Sequence, residues 1–185
     1  LFYLDFIAAL GLDKVHLVGT SLGGWVAAEL AVRNTTSLRS LTLVAPAGLR
    51  VKGVPMADVF MLSAEDMQKH LFSDPALVQA ALARPVTDAD IDIAMKNRLA
   101  LAKLAWEPRL FNPHLRKWMH RIDRPTLILW GREDRIIPSR YAEEFAGLIK
   151  GARVEIFDQC GHVPQVEKQD AFVQTLTRFL GEVRR

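Results

Sequence analysis

Ser21 is the first residue whose surroundings suggest chemistry. It lies in Gly19-Thr20-Ser21-Leu22-Gly23, between the apolar run Lys14-Val15-His16-Leu17-Val18 and a stretch of helix formers at 25–33. The first run reads as a strand and the second as a helix without a breaker. G-x-S-x-G at a strand-to-helix turn describes a nucleophile elbow, in which a tight, strained turn lifts a serine hydroxyl clear of the sheet. The next backbone N–H, that of Leu22, then stands at a helix N-terminus, where a developing negative charge is stabilised. The plainer reading of these residues is a glycine-rich turn whose serine caps the helix.

A serine hydroxyl is a weak nucleophile near neutral pH and needs an imidazole within hydrogen-bond reach to take its proton. The imidazole in turn needs a carboxylate on its far nitrogen to fix the tautomer. Two downstream segments carry such groups: Gly131-Arg132-Glu133-Asp134-Arg135-Ile136-Ile137-Pro138 and Asp158-Gln159-Cys160-Gly161-His162-Val163-Pro164. Asp134 follows Ser21 by 113 residues (134 − 21) and His162 follows by another 28 (162 − 134), so only folding can unite them. Serine, aspartate, histidine is also the chain order associated with the elbow. Each partner has a rival. Asp134 alone reads equally as a turn residue balanced by Arg132 or Arg135, and Glu133 is the competing acid, expected to be a solvated neighbour. His16 falls inside a strand, and His70, His114 and His120 lie in or beside a helical stretch. Cys160 lacks an elbow and is expected to serve as a small residue in the histidine turn.

These groups need a framework of strands and helices. Residues 1–11 have helical periodicity through Leu1, Leu4 and Ile7, ending at Gly11. Strands are expected at 15–18, 38–45, 125–130 and 153–157, and helices at about 22–33, 139–149 and 164–183. A helix in every crossover implies a parallel sheet, with functional groups where strands end at their carboxyl edge. From 46 to 123 the strand–helix rhythm disappears. Ser63 with Asp66, and Thr87 with Asp90, resemble capping boxes, and Asp74-Pro75 places proline at a first helical position. Ile91, Met95, Leu99, Ala102 and Trp106 recur at helical spacing, giving an amphipathic helix of about five turns. So long a helical block between two strands reads as an insertion over one end of the sheet, because ordinary crossovers are much shorter.

Composition narrows the partners. With 185 residues, 50% of them apolar, the chain can bury a substantial core. The net charge is +3, but residues 46–123 hold 11 Lys and Arg against 9 Asp and Glu, so no basic stripe marks a nucleic-acid partner. A single cysteine, Cys160, excludes an intrachain disulfide and fits a reducing, cytoplasmic setting. No apolar run approaches the roughly 18 residues of a membrane span.

The chain resembles the α/β-hydrolase fold superfamily, in the group with a helical cap. The resemblance rests on Val18-Gly19-Thr20-Ser21-Leu22-Gly23-Gly24, on Leu129-Trp130-Gly131-Arg132-Glu133-Asp134-Arg135-Ile136-Ile137-Pro138 and on Gly161-His162-Val163-Pro164-Gln165-Val166-Glu167. It implies an α/β fold with a parallel sheet of the α/β-hydrolase type, built as a core segment 1–45 with the elbow, a helical cap 46–123, and a core segment 124–185 with the acid and histidine loops. It also implies Ser21 as nucleophile, His162 as base, Asp134 as orienting acid, the Leu22 N–H as an oxyanion donor, and no cofactor. The superfamily has strands before the one at 15–18, and its second oxyanion donor follows one of them. The N-terminal part of the sheet is therefore expected to be missing here, as in a C-terminal fragment of a longer hydrolase, and self-association through the exposed sheet edge is expected. The implied activity is hydrolysis of an apolar ester, thioester or lactone. One alternative is C–C bond hydrolysis of aromatic ring-fission products, although Val163 and Thr20 stand where those enzymes typically carry an aromatic residue and often asparagine. Others are a small-molecule binding protein or an inactive fragment of the fold.

Overall fold

The computed structural model describes residues 2–183. Among these, four strands form one sheet in the order β1-β2-β3-β4: β1 (Val15–Thr20), β2 (Leu38–Val44), β3 (Thr126–Gly131) and β4 (Arg153–Phe157). Every pairing is parallel, with Gly19 beside Leu43, Val44 beside Leu129 and Trp130 beside Ile156. The parallel sheet expected from the helical crossovers is therefore observed.

Side-chain alternation explains why β3 is wholly buried and β2 is buried at every residue but Arg39. On β3, Ile128 and Trp130 enter a core shared with α2 (Leu22–Ala31) and α7 (Tyr141–Leu148), whereas Leu127 and Leu129 join Val44 and Phe157 against Phe172 and Phe179 of α9 (Gln169–Val183). A strand covered by helices on both faces reads as a continuous apolar run, as Thr126 to Gly131 does. The outer strands differ. β1 occupies a sheet edge among the described residues, and its Val18 is 44% exposed.

Helix α1 (Phe2–Ala9) buries Ile7 and leaves Phe2, Tyr3 and Phe6 exposed. Leu1, the first residue of its expected period, lies outside the described residues. Between β2 and β3 lie α3 (Ala64–Leu71), α4 (Pro75–Ala83), α5 (Asp88–Ala105) and the short α6 (Leu115–Trp118). The starts of α3, α4 and α5 follow the caps read from sequence. Ser63 accepts from the Asp66 N–H, Asp74 from the Ala76 N–H, and Thr87 with Asp90 makes the full reciprocal box.

The amphipathic helix expected through Ile91 and Met95 is α5, 18 residues long; its apolar face is exposed at Ile91, Met95 and Leu99, and among its residues only Ala105 is buried. Periodicity defines a face of a helix without saying what covers it. One expectation fails: the helix expected over 164–183 is two helices, α8 (Pro164–Glu167) and α9, separated by Lys168 at φ −130°, ψ 46°. The Glu167 carboxylate at that break is engaged by backbone donors from elsewhere in the chain.

Candidate functional site

Ser21, Asp134 and His162 follow the carboxyl ends of β1, β3 and β4, which all point the same way. Ligands and reacting groups of parallel sheets gather at that edge.

Ser21 has φ 52° and ψ −116°, a conformation strongly disfavoured for a residue with a Cβ. Neighbouring backbone holds it there. Its N–H donates to Val44 O at 2.8 Å, and its carbonyl accepts from the N–H groups of Trp25 and Ala47 at 3.1 Å. The serine makes no side-chain capping bond, so the plainer reading of Ser21 as a helix cap does not hold. The close approach of strand to helix falls at Gly19, where a Cβ would stand 2.3 Å from Gly23 O and 2.9 Å from Ala27 Cβ. At Gly23, by contrast, a Cβ would meet nothing within 4 Å. Of the two motif glycines, the first is the steric requirement.

Asp134 and His162 are 6% and 3% exposed and lie in direct contact, with His162 Nδ1 2.7 Å from Asp134 Oδ2. The same Oδ2 accepts from Trp130 Nε1 at 3.0 Å, and Oδ1 accepts from the N–H groups of Ile136 and Ile137 at 2.8 and 2.9 Å. Each of those three contacts is an N–H donor, so Asp134 acts as an acceptor throughout. The imidazole proton then belongs on Nδ1, which leaves Nε2 as the basic nitrogen. The structure thus brings Asp134 and His162 together, and places Ser21 on the same sheet edge without a hydrogen bond from its hydroxyl among the described residues. Catalytic hydrogen bonds are often long or open before substrate binds.

The rival residues fall elsewhere. Glu133 is not a solvated neighbour: it is half-buried, and its Oε2 accepts from the Cys160 N–H at 2.8 Å while its own N–H donates to Cys160 O at 2.9 Å. It ties the acid loop to the histidine loop. His16 Nδ1 meets Ser40 Oγ at 2.7 Å between β1 and β2, and His70 Nδ1 meets Asp66 O at 2.7 Å on α3. His114 and His120 are exposed. Burial pushes the Cys160 thiol up to about 12, which leaves it un-ionised and inert near neutral pH. No group of three or more His, Cys, Asp or Glu residues suited to a metal occurs among the described residues. A cavity of about 340 Å³ is lined by Leu22 and Val26 of α2, Leu104 of α5 and Tyr3 of α1, with Glu29, Arg33 and Asn112 in the same wall; Ser21 and His162 do not line it.

Trp130 is the partner of Asp134 that sequence reading missed. It is fully buried, and its indole N–H is shared between Asp134 Oδ2 and Ile137 O. Nothing local distinguishes it from an ordinary apolar strand residue. Trp130→Phe is expected to destabilise the fold by about 1–2 kcal/mol through the lost hydrogen bonds, as read by chemical denaturation. It should also slow any reaction that depends on the Asp134–His162 pair, because one of the donors fixing that carboxylate is gone.

Comparison with known proteins bears on the family and the fold. The alpha/beta hydrolase family model matches residues 1–175. Monoacylglycerol lipase abhd6-A of Xenopus laevis is 29% identical over 97% of the chain, and 2-hydroxy-6-oxo-6-phenylhexa-2,4-dienoate hydrolase of Comamonas testosteroni is 31% identical over 93%. The chain spans 59% and 64% of those relatives' lengths. Among solved structures, a meta-cleavage product hydrolase from Pseudomonas fluorescens superposes with a TM-score of 0.80 at 25% identity, covering 97% of this chain and 69% of that one. A membrane phospholipase A described as a bacterial virulence factor gives 0.72 at 28%, with 99% and 62% covered. Matched by the family model over nearly its whole length, and folded as these relatives are, the chain belongs to the alpha/beta hydrolase family.

Proposed function

We propose that the protein is a serine hydrolase in which Ser21 is the nucleophile, His162 the general base, Asp134 the residue that orients His162, and the Leu22 N–H an oxyanion donor. The observation that carries this reading is the buried 2.7 Å Asp134–His162 contact at the sheet edge that also holds Ser21 in a strained turn. In the reaction Ser21 Oγ attacks an acyl carbon while His162 Nε2 takes its proton. The carbonyl electrons move onto oxygen, against the Leu22 N–H at the start of α2. Collapse of the tetrahedral intermediate breaks the bond to the leaving alcohol, which receives the proton from His162. Water then repeats the sequence on the acyl-enzyme and restores Ser21.

The substrate we favour is a small or medium apolar ester, thioester or lactone. The activity named for the lipase relative supports an acyl ester. The C–C hydrolase relatives favour a second reading, cleavage of an aromatic ring-fission product. The helices of residues 46–123 act as a cap over the site, between core segments 1–45 and 124–185. No described helix is long and apolar enough to cross a membrane, and we place the protein in the cytoplasm. Pairing of β1 edges between two copies is the expected route of self-association, read by sedimentation across a concentration series.

Intact-mass analysis after treatment with a fluorophosphonate tests the catalytic assignment. One adduct per chain, absent from Ser21→Ala, is expected. Folded wild-type protein that stays unlabelled would overturn it. Turnover of a monoacylglycerol against a ring-fission dienoate then separates the two substrate readings.

A further inference from the structure

The cap is fastened to the histidine loop largely through one side chain. Glu167, the last residue of α8, sits half-buried five residues after His162. Its Oε1 accepts from the backbone N–H groups of Ser73 at 2.7 Å and Asp74 at 2.9 Å, and its Oε2 accepts from the N–H of Gly161. Ser73 and Asp74 form the junction between α3 and α4, 94 and 93 residues away along the chain. Beside this clasp the His162 N–H donates to Leu71 O at 2.8 Å, and Arg135 Nη1 donates to Lys69 O at 3.0 Å. At Gly161 the two backbones are so close that a Cβ would stand 2.5 Å from Leu71 O and 2.9 Å from Ser73 N.

A carboxylate suits this place because both of its oxygens must accept. Amides at a helix junction lack partners within the helices, and charge-assisted bonds to them are stronger than neutral ones. The break at Lys168 leaves Glu167 at the end of its own short helix, beside the turn that carries His162.

We propose that Glu167 is a positioning residue: its carboxylate locks the α3–α4 junction of the cap to the Gly161-His162 turn, so that the seat of the cap sets the placement of the His162 imidazole relative to Ser21. The inference rests on the catalytic reading above. Glu167 touches no reacting atom and acts through Gly161 and His162. A displaced cap therefore carries the base with it, and the site is competent only when the cap is seated. Misplacing a catalytic group by about 1 Å costs on the order of 100-fold in rate.

The test uses the 185-residue chain with Glu167→Gln and Glu167→Ala, and with Arg84→Ala as a control that breaks an exposed ion pair to Asp90 within the cap. Glutamine keeps the volume but turns an NH₂ toward either the Gly161 N–H or the Ser73 and Asp74 pair. Saturation kinetics of fluorophosphonate labelling separate the reversible binding constant from the covalent step. Glu167→Gln is expected to slow the covalent step about 10- to 100-fold with little change in binding, and Arg84→Ala to match wild type. Amide hydrogen exchange should rise together at 71–74 and 161–162. A change in binding alone, or faster exchange confined to 164–168, would overturn the proposal. If wild type takes no label, the catalytic reading fails, and exchange decides the clasp by itself: a joint rise on both sides supports it, and a rise on one side overturns it. Should Glu167→Ala not fold, the isosteric glutamine variant carries the same comparison.

Discussion

Asp134→Asn is expected to slow the reaction of Ser21 with a fluorophosphonate by about 10⁴-fold, the effect that a wrong histidine tautomer has in a serine triad. The cause lies in the donors around the carboxylate. Oδ1 serves the Ile136 and Ile137 N–H groups, and Oδ2 serves the Trp130 indole and His162 Nδ1. An asparagine keeps its single oxygen on the two backbone donors and turns its NH₂ toward His162. Nδ1 must then accept, the imidazole proton moves to Nε2, and Nε2 can no longer take a proton from serine. Trp130 still donates to Ile137 O at 2.9 Å, so the fold should lose only about 1–3 kcal/mol. Labelling kinetics and thermal unfolding check the two parts separately. A labelling rate within tenfold of wild type, in a folded variant, would show that Asp134 does not orient the base.

Gly19→Ala is expected to be the most damaging single-methyl change in the elbow. The added Cβ would lie 2.3 Å from Gly23 O and 2.9 Å from Ala27 Cβ, far inside van der Waals contact with backbone that has nowhere to go. β1 and α2 must separate, and over-packing of this kind costs about 1–3 kcal/mol or more. Separation also relaxes the turn that holds Ser21, so labelling should fall with stability. Gly23→Ala is the counterpart. Its Cβ would meet nothing within 4 Å and its site is helical, so stability should change by less than about 1 kcal/mol. Urea unfolding of the two variants side by side checks this. Equal damage from both would mean that the strand–helix approach is not what selects Gly19.

Much of the candidate site was legible because its signals are local. A G-x-S-x-G turn, a Thr87 to Asp90 capping box and a buried run such as Leu127-Ile128-Leu129-Trp130 each declare themselves within a few residues. The chain order of Ser21, Asp134 and His162, each just after a strand, pointed to one sheet edge. What failed to show was whatever depends on a distant surface. The spacing of Ile91, Met95 and Leu99 defined a face of α5 but not its exposure. The helical pattern through 164–183 concealed the break at Lys168, because local propensity there carries no trace of donors 93 and 94 residues away.

The sequence by itself determined the strands, their parallel arrangement and which residues could serve as nucleophile, acid and base. Tertiary structure decided which carboxylates do what. Asp134, Glu133 and Glu167 are all acids, yet one meets the imidazole, one binds the Cys160 N–H and one joins the α3–α4 junction to Gly161. A carboxylate takes its role from the donors that surround it, and for these three the decisive donors come together only when β3, β4 and the α3–α4 junction meet.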